Sequence, residues 1–177
     1  MATDNERALG MLQTALEMEE KGFAFYEKAV GETGNELGRN IFTMLKEDEL
    51  VHVERIKTIY AEISGGGGWN DEWKTVAAPQ RDLGQMFRDM AYKHRGTIQP
   101  QTSDLDALQV GIDFEARAVA FYKEHLADAA DELEIEFIKE MIAEEETHHE
   151  LLTDMKLYLS DPDAWFREKE RSHVDGA

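Results

Sequence analysis

The chain has 177 residues, with 19 basic and 38 acidic side chains and therefore a net charge of −19 at neutral pH. A surface this acidic repels phosphate backbones, which argues against a nucleic-acid partner, and it attracts cations. The absence of cysteine excludes disulfides, thiolate metal sites, iron–sulfur clusters and a cysteine nucleophile. No apolar run is long enough to span a membrane and no secretory signal is recognisable, so we expect one soluble, cytoplasmic domain.

Apolar residues recur at steps of three and four, the period of amphipathic helices, in four long stretches of the chain. No segment alternates with period two, so we predict an all-α protein. Ser103-x-x-Asp106 resembles a capping box at the start of the third stretch. Asp161-Pro162 ends the fourth and leaves a C-terminal tail, residues 161–177. The predicted long helices cover residues 4–31, 35–63, 104–127 and 131–160.

A long connection over residues 64–103 separates the second and third helices. It begins with Ser64 and four glycines, which favour a flexible segment because a glycine loses much backbone entropy in a helix. Residues 79–95 then fit a short amphipathic helix, and we expect Trp69 and Trp73 to pin the connection to the bundle. A connection of this length suits a crossover between two parallel helices. We therefore predict a four-helix bundle of two hairpins, 4–63 and 104–160.

The second half of the chain repeats the first at an offset of 96 residues. Each half carries the pattern Glu-x6-Tyr followed by Glu-x-x-His. Two hairpins with the same pattern pack naturally about a pseudo-twofold axis. The members of the pattern are Glu19, Tyr26, Glu49 and His52 in the first half and Glu115, Tyr122, Glu145 and His148 in the second.

The acidic and histidine members of the repeat lie inside the apolar stripes, so four carboxylates and two imidazoles should point into the core. Burial of an unpaired carboxylate is costly, and without metal these carboxylates should raise one another's pKa. Two divalent cations would neutralise the four carboxylates. One Glu from each of two helices, with Glu-x-x-His from each of the other two, is the ligand set of di-iron and di-manganese bundles. The predicted metal ligands are Glu19, Glu49, His52, Glu115, Glu145 and His148.

The donor set contains oxygen and imidazole nitrogen and no thiolate. Such donors suit iron or manganese, and zinc could also bind. We expect two iron ions as the cofactor, with manganese or zinc as alternatives.

Two assignments stay open at the level of the sequence. Glu146-x-x-His149 overlaps the fourth-helix motif, although the apolar stripe continues from Glu145 and His148 rather than from this second pair. The two repeated tyrosines have two interpretations: buried core tyrosines, or catalytic-site residues whose hydroxyls bond a ligand carboxylate.

The helix motifs resemble those of rubrerythrin-like proteins, within the ferritin-like superfamily. The segments that carry the resemblance are Leu16-Glu-Met-Glu-Glu-Lys-Gly-Phe-Ala-Phe-Tyr26 in the first helix, Ala143-Glu-Glu-Glu-Thr-His148 in the fourth, and the tail Tyr158-Leu-Ser-Asp-Pro-Asp-Ala-Trp-Phe166. The resemblance covers the four helices and the tail but not the glycine-rich crossover. It implies a ferritin-like four-helix bundle with a dinuclear iron site.

The resemblance also implies a role for each ligand. Glu49 and Glu145 would bridge the two metals, Glu19 and Glu115 would be terminal ligands, and one histidine would bind each metal. The chain departs from the family in three places. It lacks the four-cysteine rubredoxin domain, so the electron donor would be a separate molecule; Ala118 replaces an additional glutamate, which argues against redox-linked ligand exchange; and Leu50 replaces the methionine with which bacterioferritins bind haem.

The function implied by this resemblance is reduction of peroxide or dioxygen at a di-iron site, of the peroxidase or ferroxidase type. The alternatives are an iron-storage or iron-delivery protein and a non-catalytic metal-binding bundle. We expect a homodimer, both from the general frequency of twofold assemblies and from the family.

Overall fold

The structure is a computed structural model that describes residues 4–98 and 101–174, with the backbone alone for 171–174. Over these ranges the protein is an all-α bundle without a strand, which confirms the prediction of an all-α protein. None of the helices described is both long and apolar enough to cross a bilayer. The helices are α1 (Asp4–Glu32), α2 (Glu36–Ser64), α3 (Leu83–Lys93), α4 (Thr102–Leu126), α5 (Glu132–Ser160) and α6 (Pro162–Val174), with a short 3-10 helix over Glu72–Thr75.

The four long helices begin and end within two residues of the predicted bounds. Side chains close their N-terminal turns: Asn35 accepts a hydrogen bond from the Gly38 amide at 2.7 Å, and Asp131 accepts bonds from two amides of α5. The prediction of a capping box at Ser103-x-x-Asp106 was wrong. The box is formed instead by Gln101 and Asp104, because the buried Asp104 carboxylate also accepts bonds from the turn between α1 and α2.

The crossover helix is shorter than the predicted 79–95. It begins at Leu83, where the Asp82 carboxylate accepts a bond from the Gln85 amide at 2.8 Å. The two tryptophans of the crossover both pack on one residue of α5, as expected. The Phe137 ring centroid lies 5.8 Å from that of Trp69 and 5.4 Å from that of Trp73.

The segment predicted as a tail contains a further helix, α6. Pro162 does end α5, but it then occupies the first turn of α6, where its missing amide hydrogen costs nothing. The Asp161 carboxylate caps α6 through the Ala164 amide at 2.9 Å. Trp165 of α6 is fully buried and packs against Phe87 of α3 and Tyr158 of α5. This aromatic cluster attaches both short helices to the bundle.

The long helices pack as two hairpins, α1 with α2 and α4 with α5, and their shared interior is divided into two apolar clusters. One cluster includes Tyr26, Leu45, Leu108 and Leu152 together with residues of α3 and α6. The other includes residues nearer the opposite end of each long helix. Between the two clusters, at the middle of the bundle, lie the polar side chains predicted as metal ligands.

We expect the aromatic contact of α6 to contribute strongly to stability. Trp165→Ala should lower the free energy of unfolding by about 3–5 kcal/mol because it leaves a large cavity in a packed core. Met86 of α3 is 39 % exposed, so Met86→Ala should change the free energy of unfolding by less than about 1 kcal/mol. Urea denaturation followed by circular dichroism measures both, and equal effects would contradict the packing of α6.

Candidate metal centre

All six predicted ligands meet in the middle of the bundle. They come from four helices: Glu19 from α1, the Glu49 motif from α2, Glu115 from α4 and the Glu145 motif from α5. None of the six is more than 2 % exposed. The helical repeat therefore brings to one place the groups that an apolar core would otherwise exclude.

The six side chains form two overlapping groups that could each hold a metal ion, with the donor atoms of each group within 4.8 Å of one another. We call them the His52 position and the His148 position. Glu49 and Glu145 belong to both, so these two carboxylates lie between the positions. The His52 position consists of Glu19, Glu49, His52 and Glu145, and the His148 position of Glu49, Glu115, Glu145 and His148.

Several donor atoms of this centre have no hydrogen-bond partner. Both oxygens of Glu49 and one oxygen of Glu115 are in this condition, whereas the Glu145 oxygens lie 3.1 Å from His52 Nδ1 and 3.3 Å from His148 Nδ1. A buried polar atom without a partner costs about 1–3 kcal/mol, and more if it is charged. Cations coordinated by these atoms would remove that cost, so the donors present fit a dinuclear metal centre.

The two repeated tyrosines connect the hairpins. The Tyr122 hydroxyl donates to Glu19 Oε1 at 2.6 Å, and the Tyr26 hydroxyl donates to Glu115 Oε1. Both tyrosines are buried in the core, and the hydroxyl of each bonds a carboxylate that was predicted as a metal ligand. Burial and the adjacent carboxylate raise the pKa of each tyrosine well above its usual value, so the hydroxyls stay protonated and fix the carboxylates by donation.

The outer nitrogen of each histidine faces a carboxylate that is itself held by an arginine. His52 Nε2 lies 2.7 Å from Glu144 Oε2, and Arg55 Nη1 donates to both Glu144 oxygens at 3.0 and 3.1 Å. We call these three residues the His52 arm. Such partners orient an imidazole and fix which nitrogen is free to bind a metal.

The second arrangement, the His148 arm, involves the crossover. His148 Nε2 lies 3.4 Å from Asp48 Oδ2, and Arg81 donates to Asp48 Oδ1 at 2.7 Å. Sequence analysis missed both arms. The available signal was the repeat itself, since Asp48 and Glu144 occupy equivalent positions, each directly before a predicted bridging glutamate.

A cavity of about 280 Å³ lies between α2, α5 and the crossover segment, and both histidines of the centre line it. Residues of both arms line it. The lining residues are Asp48, His52, Ala78, Pro79, Arg81, Leu83, Glu140, Ala143, Glu144, Thr147 and His148.

Protonation differs among the carboxyl groups. Burial, together with neighbouring carboxylates, raises the pKa of Glu49 and of Glu115 well above the usual range, as the sequence predicted. For Glu145 the expectation was wrong. Burial raises the pKa of Glu145 as well, but the two adjacent histidines outweigh burial and hold this pKa below its usual range. Without metal, Glu145 is therefore the anion between two cationic imidazoles.

Both histidines hold protons more tightly than usual. Burial opposes their charged form, but the surrounding carboxylates outweigh it. Asp48 and Glu145 raise the pKa of His148 to about 10, and Glu145 and Glu144 raise that of His52 well above its usual value. Protons thus perform in the metal-free protein the neutralisation that cations would otherwise provide.

The competing pair on α5 lies away from this centre. Glu146 is exposed and pairs with Lys123 at 2.5 Å, and His149 is half-buried. Neither belongs to the two groups of candidate ligands. Of the two alternatives, Glu145 and His148 are the ones that face the interior.

Comparison with known proteins adds no relative: no protein-family model matches the chain, and no curated protein and no solved structure matches it either. The resemblance to rubrerythrin-like proteins therefore remains an expectation, and the functional argument rests on the centre itself.

Gly22 of α1 leaves room for one of the shared carboxylates. A Cβ atom at this position would lie 2.7 Å from Glu49 Oε2 and 2.8 Å from Phe114 Cε1. Gly10, on the same helix, has nothing within 4 Å of an added Cβ. An added side-chain carbon at Gly22 would therefore press on the shared carboxylate of Glu49 and on the Phe114 ring, whereas one at Gly10 would meet nothing.

Gly22→Ala should weaken metal binding at both positions by about tenfold or more, because it displaces a carboxylate that the two positions share. Gly10→Ala is the matched control and should leave metal binding unchanged while stabilising the helix by about 0.5–1 kcal/mol. Calorimetric titration with Mn²⁺ or Zn²⁺ measures the affinities. Unchanged binding in Gly22→Ala would contradict the prediction that this close approach positions Glu49 for metal.

Metal binding should release protons and strengthen as the pH rises. The ligands must lose the protons that the raised pKa values of Glu49, Glu115 and the two histidines retain. Titration with Zn²⁺ from about pH 6 to about pH 8, in buffers of different ionisation enthalpy, counts the protons released. Binding without proton release would contradict the protonation described.

The metal-free protein should show the opposite dependence on pH. A group with a raised folded pKa stabilises the fold below its unfolded pKa, and that contribution is lost as the pH rises through the folded value. The unfolding temperature without metal should therefore fall as the pH rises from neutrality towards about 10, the pKa of His148. Thermal unfolding with and without Zn²⁺ should show a stabilisation by metal that grows over the same interval.

Proposed function

We propose that this protein is a di-iron carboxylate oxidoreductase that reduces peroxide or dioxygen. The observation that supports it is the pair of buried ligand groups that share Glu49 and Glu145. A single structural metal would need only one such group. In this proposal α1, α2, α4 and α5 form a ferritin-like four-helix bundle around the centre.

The residues fit iron better than the softer metals. Four carboxylates, two imidazoles and no thiolate form a hard, oxygen-rich set with a net charge that two divalent ions balance. When bound, two ferrous ions would supply the two electrons that convert a peroxide to water and the positive charge that stabilises its oxygens. Glu19 and Glu49 would complete the His52 position, and Glu115 and Glu49 the His148 position, around the common Glu145.

The residues around the centre orient its carboxylates and cover it. The two tyrosine hydroxyls hold the outer carboxylates, Glu19 and Glu115, in fixed orientations. Apolar clusters cover the centre on both sides along the bundle axis. These 177 residues contain no cysteine for an iron–sulfur or rubredoxin-like site, so the electrons that restore the ferrous state would come from a donor outside this helical bundle.

The test is oxidation of the anaerobic ferrous protein by stoichiometric hydrogen peroxide, followed optically in a stopped-flow instrument. We expect oxidation much faster than that of free Fe²⁺, with two irons oxidised per peroxide. Oxidation at the rate of free iron would contradict the proposed activity.

Glu49→Gln and Glu54→Gln provide a matched pair on α2 for this experiment. Glu49 is fully buried in the centre, whereas Glu54 is 54 % exposed and pairs with Lys57. Since burial and neighbouring carboxylates raise the pKa of Glu49 in the metal-free protein, glutamine there replaces a protonated acid and should preserve the fold. Glu49→Gln should lose iron and the rapid reaction, and Glu54→Gln should retain both.

The alternative of iron storage is tested with the same protein. Storage requires a large assembly that takes up many irons per chain, whereas the proposed enzyme binds two irons in this centre. Iron titration combined with light scattering distinguishes the two functions.

A further inference from the structure

We propose that Arg81 of the crossover is a positioning residue for the His148 position, and that it makes this position the weaker of the two and dependent on the docked crossover. The inference uses the metal centre of the proposed function but not the peroxide chemistry. It concerns how the two arms are built.

The three members of the His52 arm all belong to long helices, although Arg55 also donates through Nε to the Val76 carbonyl of the crossover at 3.2 Å. Arg55 lies one turn after His52 on α2, is only 5 % exposed, and donates to both oxygens of Glu144 on α5. Glu144 Oε2 in turn lies 2.7 Å from the outer nitrogen of His52. The imidazole is thus fixed by a short contact to a carboxylate whose two oxygens are both restrained.

The repeat does not extend to the second arginine. The residue 96 positions after Arg55 is Leu151, which is buried in the apolar cluster and has no charge. Helix α5 therefore offers no arginine to Asp48, the counterpart of Glu144. The cation comes from Arg81, which lies before α3 in the non-helical part of the crossover.

The hydrogen bonds of the Arg81 side chain all go to residues of α2. Its guanidinium donates to Asp48 Oδ1 at 2.7 Å, to the Met44 carbonyl at 2.6 Å and to Glu47 at 2.7 Å. It restrains one oxygen of Asp48 and leaves the other 3.4 Å from His148 Nε2, a looser contact than the 2.7 Å of the His52 arm. The orientation of His148 consequently depends on a segment outside the long helices.

Selective binding of metal by variants tests this inference. The full-length metal-free chain is titrated with Co²⁺ alone by calorimetry and equilibrium dialysis. The wild type should bind in two steps, and His148→Ala should lose the weaker step and so assign it. Arg81→Gln should weaken that step by about tenfold or more and leave the tighter step unchanged, since loss of such partners typically costs 10–100-fold in metal affinity.

Three further variants make the result specific to the arm. Asp48→Asn should have the same selective effect. The double variant with Arg81→Gln should bind Co²⁺ no more weakly than the weaker of the two single variants, because both changes remove the same interaction between Arg81 and Asp48. Arg81→Lys should recover part of the affinity, since lysine keeps the charge but not the multiple contacts. Lys74→Gln is the control, because Lys74 also joins the crossover to α5 but only through an exposed pair with Glu136.

Circular dichroism of the metal-free variants checks the fold, and Asp48→Asn carries the test if Arg81→Gln does not fold. Equal weakening of both steps, no weakening, or the same effect in Lys74→Gln would overturn the inference. The inference and the proposed activity can be separated. If Co²⁺ binds in two steps and Arg81→Gln weakens only the weaker one, the inference is supported even if the ferrous protein does not react with peroxide. That lack of reaction would refute the proposed activity alone. A wild type that binds no Co²⁺ would refute both.

Discussion

The structure depends on the neutralisation of six ionisable side chains at the middle of a helical bundle. Four carboxyl groups and two imidazoles occupy a layer in which none is more than 2 % exposed. Charges buried in this way are tolerated only when opposite charges compensate them. In the metal-free molecule the compensation comes from protons, retained on the histidines and on Glu49 and Glu115. The helices, the tyrosine hydroxyls and the arginine-held arms are all arranged around this one electrostatic requirement.

The internal repeat explains most of the centre but not all of it. Its twofold character accounts for the two shared glutamates and for the exchange of tyrosine hydrogen bonds between the hairpins. It also accounts for the paired acids Asp48 and Glu144 beside the histidines. The symmetry ends at the arginines, since one is carried by α2 and the other by the crossover. Two nearly equivalent hairpins thus form a centre in which the histidines are oriented differently, one through an arginine of a long helix and the other through an arginine of the crossover.

Periodicity and spacing were sufficient to predict the four long helices and the meeting of Glu19, Glu49, His52, Glu115, Glu145 and His148, because both follow from regular helical geometry. What spacing could not supply were contacts that depend on tertiary packing. Arg81 approaches Asp48 only once the crossover is docked. The box at Gln101 replaces the expected one because Asp104 also serves the neighbouring hairpin turn. Helix α6 is not evident from the sequence because Pro162 ends α5, whereas proline equally favours the first turn of a new helix.

The separation of the core into two apolar clusters has a consequence for the lifetime of bound ions. Each end of the bundle is held by dispersion and burial that do not require metal, while the layer between them is cohesive only when its charges are balanced. Local opening follows the least stable layer of a protein. When neither cations nor retained protons balance these charges, we therefore expect transient opening at the middle of the bundle, with both ends intact, and this is where cations would be gained and lost. Such an architecture allows turnover of its ions without global unfolding.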